Sequence, residues 1–239
     1  MRVNWSVIKM VLLFICVIGL YAFSSIRNDA RSISKPEVNF VGDDNLFITN
    51  QTVSKLLIQN YGGVKNVHKE ILDLNGLEST LNSNPMIKSA EVYVSVNGTL
   101  KAEIEQKTPI ARVSTNASYY IDDEGFYMPL SSNYSARVPL VTGFVEKNKL
   151  SDIHKVATKV KDDVFLKKHV IEIHQTYEGE LLLKLRRCGF MVKLGSVEAL
   201  DKKINNLKVF YKKSLKEHTL NSYSKVNLQF DNQVVCTKI

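Results

Sequence analysis

From Met10 to Ile26 the chain runs for seventeen residues without a charge, MVLLFICVIGLYAFSSI. As a helix such a run spans about 25 Å, close to the ~30 Å hydrocarbon core of a bilayer. Only Lys9 separates it from Trp5 and Val7. A lysine there snorkels toward the headgroups while the indole sits at the interface. The competing reading is a cleaved signal peptide, since Ala22-Phe23-Ser24 is an acceptable small-x-small site and the fully apolar stretch Met10 to Phe23 is short. Arg2 and Lys9 face Arg27, Arg31 and Lys35 across the run, so charge does not orient it. A tail of residues 1–9 inside and everything else outside is the simpler topology. The polar stretch 27–37 then spaces the anchor from the first folded domain.

Residues 38–113 spell a short strand, two helices and a hairpin. Val38, Phe40 and Val41 before Gly42 read as the strand. Thr49 can cap a helix with Val53, Leu56, Leu57 and Tyr61 on one side, ended by Gly62-Gly63. A second helix places Leu74, Leu77 and Leu81 together, with Asn75 and Glu78 as a capping pair, and Pro85 ends it. Ala90, Val92, Val94 and Val96 alternate with polar residues, Asn97-Gly98 suits a two-residue turn with both φ positive, and Leu100, Ala102 and Ile104 lead back. A three-stranded sheet covered by two helices buries all these faces.

The second half, 118–239, reads as strands flanking two helices, with the domain boundary at Val113–Ser118 (VSTNAS). Leu150, Ile153, Val156, Ala157 and Val160 mark the first helix, and Ile171 and Ile173 a strand. Leu181, Leu183 and Leu185 form another strand face, Cys188-Gly189 turns the chain, and Phe190, Val192 and Leu194 return it. Ser196 then caps a helix with Val197, Leu200, Ile204, Leu207 and Tyr211 inward. Its other face is basic, with Lys202, Lys203, Lys208, Lys212 and Lys213. A last strand puts Val226, Leu228, Phe230, Val234 and Cys236 on one face. The fold class is thus α+β: a single transmembrane helix, a β-α-α-β-β domain, and a second mixed sheet domain.

Gly42 after the first strand, Ile48-Thr49 opening a helix, and Asn84-Pro85 with Ala90 and Val92 occur in one order. Glu105-Gln106 and Pro109-Ile110-Ala111 come next. This order resembles the POTRA module of the bacterial cell-division FtsQ (DivIB) family. The likeness continues through Tyr119-Tyr120-Ile121-Asp122, Gly125 and Val138-Pro139-Leu140-Val141-Thr142-Gly143 to the ending VNLQFDNQVV. The resemblance implies a non-enzymatic, bitopic inner-membrane scaffold of the division septum, with the bulk of the chain periplasmic. Its implied partners are FtsB-like and FtsL-like bitopic coiled-coil proteins and other divisome components. The implied partner site is the closing strand: Val226, Asn227, Leu228, Gln229, Phe230, Asp231, Asn232, Gln233, Val234 and Val235. There a partner strand adds to the sheet by β-augmentation. Relatives carry Arg-Tyr-Asp where this chain has Gln229-Phe230-Asp231, so polar contacts to the partner differ. Val235 faces outward by the alternation and Phe230 inward, and the chain ends soon afterwards at Ile239. The alternatives are a POTRA-type receiver of envelope proteins and a soluble envelope protein released by signal cleavage.

Other functions find little footing. A net charge of +8 and a pI near 9.2 come without a zinc-finger, RRM or OB signature, so a basic surface attracted to an acidic partner or membrane is the better reading than nucleic acid. His169 and His174 lie five apart, and His68, His154 and His218 have no ligand cluster beside them. Asp122, Asp123 and Glu124 beside Gly125 suit either an acidic metal loop or a tight turn, and the family resemblance favours the turn. No phosphate-cradling glycine loop or GxSxG elbow is present, and no catalytic residue, metal site or cofactor is expected. Cys16 lies in the apolar run; Cys188 and Cys236 are expected as separate thiols.

Overall fold

The computed structural model of the chain describes residues 5–29, 34–42, 45–59, 73–230 and 233–239. Helix α1, Trp5–Asp29, contains the apolar stretch Ile8–Ile26, long and apolar enough to cross a membrane, with none of it buried. The helix therefore overruns the expected 10–26 span at both ends. The chain divides into two compact units, Met1–Gln106 and Lys107–Ile239.

In the first unit, strand β1 (Ser34–Val41) is followed by helices α2 (Asn50–Gln59) and α3 (Leu74–Asn82) and strands β2 (Ile87–Val94) and β3 (Thr99–Gln106). β3 is central, parallel to β1 and antiparallel to β2. Val53 and Leu57 of α2 and Leu77 and Leu81 of α3 pack on Ala90, Val92, Leu100, Ala102 and Ile104. Thr49 opens α2 as expected: its carbonyl takes the Val53 N–H at 3.1 Å and its hydroxyl the Thr52 N–H at 3.2 Å. Tyr61 and Gly62-Gly63 lie outside the described residues.

Two expectations are corrected by this unit. The cap of α3 is Asp73, whose carboxylate accepts the Gly76 N–H at 2.9 Å, not the pair Asn75 and Glu78. Glu78 reaches β2 instead and accepts the Val92 N–H at 2.8 Å. The hairpin turn holds three residues, not two: Ser95 and Thr99 are bonded across it, Gly98 donates back to Ser95, and of the turn residues Gly98 alone has positive φ (84°). This is the type I turn closed by a left-handed glycine. The extra residue throws Val96 out of the alternation, leaving it 88 % exposed.

A buried glutamine closes this unit. Gln106, 4 % exposed at the end of β3, accepts the N–H groups of Phe47 and Ile48 at 3.0 and 3.2 Å. Its own amide donates to the Ile48 carbonyl at 3.0 Å. The side chain thus acts as a peptide group and ties β3 to the chain entering α2.

The second unit begins earlier than expected. Strand β4, Pro109–Ser114, pairs with β5, Ser118–Asp122, so the segment 113–118 is a hairpin inside this unit rather than a linker. The cause is burial: Ile110, Ala111 and Val113 all enter the second core. There follow β6 (Tyr127–Met128), β7 (Leu140–Gly143), α4 (Ser151–Asp162), α5 (Val164–His169), β8 (Val170–Gln175), β9 (Leu181–Leu185), β10 (Met191–Gly195), α6 (Leu200–Lys216), β11 (Tyr223–Asn227) and β12 (Val235–Lys238). The sheet order is β12-β11-β10-β9-β8-β7-β4-β5-β6. Leu181, Leu183 and Leu185 of β9 and the Phe190, Val192 and Leu194 series are buried as the alternation requires.

Helix α5 was not expected. Asp163 ends α4 and caps α5 by accepting the Phe165 and Leu166 N–H groups at 3.0 and 3.1 Å, and it also pairs with Lys208 of α6. With α5 present, the inward residues of β8 are Val170 and Ile173 rather than Ile171 and Ile173. Ser196 does not cap α6. The cap position is Ala199 at φ 49°, and Lys203 donates to the carbonyls of Leu194 and Ser196 at 2.9 and 2.8 Å. Lys203 and Lys208 of the expected basic face therefore serve the fold.

Candidate functional site

The residues expected to form one closing strand form two. β11 lies between β10 and β12, parallel to the first and antiparallel to the second, so it is paired on both sides. The chain reverses between Asn227 and Val235, which face one another in register; Asp231 and Asn232 lie outside the described residues. The outermost strand is β12. The expected apolar face is met in part: Val226 and Leu228, at and just past the end of β11, are buried, and Val234 and Cys236 pack against the core. Phe230 does not, being 47 % exposed.

The direction of the backbone groups on β12 can be counted. The Ile239 N–H donates to the Ser222 carbonyl at 3.1 Å, and the Ser224 hydroxyl donates to the Thr237 carbonyl at 3.3 Å. Backbone groups alternate along an antiparallel strand. Val235 and Thr237 therefore turn their N–H and C=O toward β11, while the N–H groups of Cys236 and Lys238 point to the open edge; the Lys238 carbonyl also accepts from the Ser224 hydroxyl at 3.5 Å. The Val235 side chain is exposed, as expected. Its N–H, however, belongs to the β11–β12 ladder. The register shifts between Tyr223 and Lys225, a bulge that adds twist near the edge.

The connection leaving β11 is held from several sides. Leu228 donates to the Lys193 carbonyl at 2.9 Å, and the Gln229 N–H to Asn227 Oδ1 at 3.0 Å. Gln229 Nε2 donates to Glu180 Oε1 at 3.0 Å, and Glu180 is paired with Lys193 at 2.7 Å. Those two hydrogen bonds, Lys193 first, hold the Glu180 carboxyl below its ordinary range. The Gln229 side chain lies on Gly195, where an added Cβ would stand 2.3 Å from Nε2. Nothing in the sequence signals this grouping, because its members are distant in the chain and individually ordinary. Beneath the edge, Phe190, Phe210 and Tyr223 meet edge to face in sequence, with ring centroids 6.0 and 5.4 Å apart.

Of the residues weighed for chemistry, Asp122, His154, His169 and His174 are built into the framework, while His68 lies outside the described residues. Asp122 is buried; its Oδ1 accepts the N–H groups of Glu124 and Phe126 at 3.2 and 2.7 Å, and Oδ2 pairs with Lys107 at 2.7 Å. That is a closed turn. His154 lies 3.0 Å from the Asp123 carbonyl, His174 is bonded to the Thr142 hydroxyl at 2.8 Å, and His169 stacks between Phe165 and Tyr211. Among the described residues no three His, Cys, Asp or Glu side chains group as metal ligands. Cys188 and Cys236 are free thiols whose pKa values burial pushes up, so neither is primed as a nucleophile.

Comparison with known proteins covers both units. A family model described as FtsQ/DivIB, C-terminal related, matches residues 108–237, more than half of the chain, and one for a POTRA-like domain matches residues 41–105. The cell division protein FtsQ of Geotalea daltonii is 24 % identical over 180 residues, which are 70 % of this chain and 64 % of that relative.

Proposed function

The chain belongs to the FtsQ/DivIB, C-terminal related family, and from that premise we propose that it is a non-enzymatic, single-pass scaffold of the bacterial division machinery. α1 holds it in the inner membrane, the two units lie in the periplasm at the septum, and β12 receives an extended strand from a bitopic FtsB-like partner, itself associated with an FtsL-like protein. The observation that supports this reading best is the open side of β12, toward which the N–H groups of Cys236 and Lys238 point. β-Augmentation draws affinity from such backbone groups and selectivity from the flanking side chains, here exposed Phe230, Val235 and Thr237.

The alternation selects the test. Proline removes an N–H and fixes φ. At Val235 it would break the pairing of β12 with β11, whereas at Lys238 it removes a donor from the open side and leaves an exposed side chain as the only other loss. The tagged Lys238→Pro chain, purified from membranes of the source organism, is expected to lose the FtsB-like protein and to leave depleted cells filamentous, with its melting temperature kept. A folded Lys238→Pro chain that retains the partner at wild-type yield would remove the augmentation reading.

A further inference from the structure

Gln229 stands beside the proposed edge, at the point where a polar contact to a partner would be sought. Its two nitrogen donors are already engaged. The side-chain amide donates to Glu180 at 3.0 Å, the backbone N–H donates to Asn227 at 3.0 Å, and the side chain rests on Gly195, where a Cβ would come within 2.3 Å. Glu180, just before β9, is itself fixed by Lys193 of β10 at 2.7 Å, and the Lys193 carbonyl takes the Leu228 N–H at 2.9 Å. The start of the β11–β12 connection is thus clamped to the ends of two neighbouring strands. Strand alternation continued from Val226 and Leu228 would put Phe230 into the core, yet it is 47 % exposed. The chain departs from the strand path at the clamped residue.

We infer that Gln229 is a positioning residue of the partner edge. Clamped to Gly195 and Glu180, it diverts the connection so that Phe230 faces the incoming strand and β12 starts in register, and it does not itself touch the partner. This inference rests on the strand-receiving role proposed above for β12. Gly195 is part of the device, because any side chain there would lift Gln229 from its seat.

A charge exchange tests the clamp. Gln229→Glu sets a carboxylate against Glu180 and opens the contact. The double variant Gln229→Glu with Glu180→Gln restores a donor and an acceptor with the roles reversed, and Lys193 regains a carboxylate within reach. Each full-length tagged chain is purified from membranes, the co-purifying FtsB-like protein is quantified, and hydrogen exchange is followed over residues 226–234. Gln229→Glu is expected to lower recovery of the partner about five- to tenfold, the equivalent of one lost hydrogen bond. Exchange over 226–234 should rise with it, and both should return toward wild type in the double variant. If Lys238→Pro abolishes recovery while Gln229→Glu leaves it unchanged, the clamp is overturned and the strand-receiving role stands. If binding falls and the double variant does not restore it although exchange returns to normal, Gln229 contacts the partner directly and the positioning role is wrong. If neither Lys238→Pro nor Gln229→Glu affects recovery, the edge itself is not the site and the inference falls with it.

Discussion

Gln106 shows how much one side chain can carry. It makes three hydrogen bonds to the backbone of Phe47 and Ile48 from a position 4 % exposed. Leucine has nearly the same volume and offers none of them, so Gln106→Leu leaves buried peptide groups without these partners. The expected cost is about 2–4 kcal/mol, read as a lowered denaturation midpoint of the detergent-solubilised chain. An unchanged midpoint would mean that water or backbone movement replaces the amide. His169 supplies a pH-dependent counterpart. Burial, and then the charges of Lys168 and Arg186, hold its imidazole below the usual value. The folded state therefore prefers it neutral, and the unfolded chain binds the proton first as pH falls. Its contribution is complete above the unfolded value near 6.5 and is lost as pH falls through the lower folded value. His169→Phe keeps a ring between Phe165 and Tyr211 but cannot titrate, so wild type should lose stability relative to this variant on going from pH 7 to pH 5. Melting curves separated by a pH-independent gap would contradict the assignment.

At the scale of elements, α3 does more than cover its sheet. Glu78 accepts the Val92 N–H at 2.8 Å, and Asn82 accepts the Ala90 N–H at 2.8 Å while donating to its carbonyl at 3.4 Å. The outer side of β2 is therefore bonded to a helix instead of being left open. Replacing both residues with alanine should cost about 1–2 kcal/mol and produce concentration-dependent association, visible by light scattering; a monodisperse double variant would show that the edge is protected by other means. The elements were legible in the sequence wherever apolar residues repeat with the period of a strand or helix. The β9 leucines, the Phe190 series and the α4 face all follow from spacing. What escaped detection depends on single polar contacts between distant segments. Asp73 took the cap assigned to Asn75, a three-residue turn displaced Val96, and Asp163 started a helix where none was expected. The closing segment proposed as the partner edge was half legible: alternation placed Val226 and Leu228 inward and Val235 outward. The reversal that makes β12 the outer strand hides in a polar stretch with no period, and the clamp at Gln229 depends on Gly195 and Glu180, which only folding brings together.

For the whole molecule, the proposed topology has residues 1–9 inside the cytoplasm and both units outside. A reporter that matures only outside the cytoplasm, fused after Ile239, should be active, and an inactive fusion of normal abundance would contradict this arrangement. Confinement to a membrane raises the frequency with which copies of a chain meet, and septal recruitment would raise it further. Under such crowding, β-sheets with two receptive sides would link into ribbons. In the first unit β2 is closed by the side chains of Glu78 and Asn82. In the second, the strand at the far side from β12 is β6, two residues long, too short to seed a ladder. On the proposed reading the second sheet would accept a strand at β12, and β6 has little to offer on the other side. In the language of polymer chemistry it would then be monovalent: an end-group, which would cap whatever it joined and leave the number of partner strands bound through this sheet equal to the number of chains delivered.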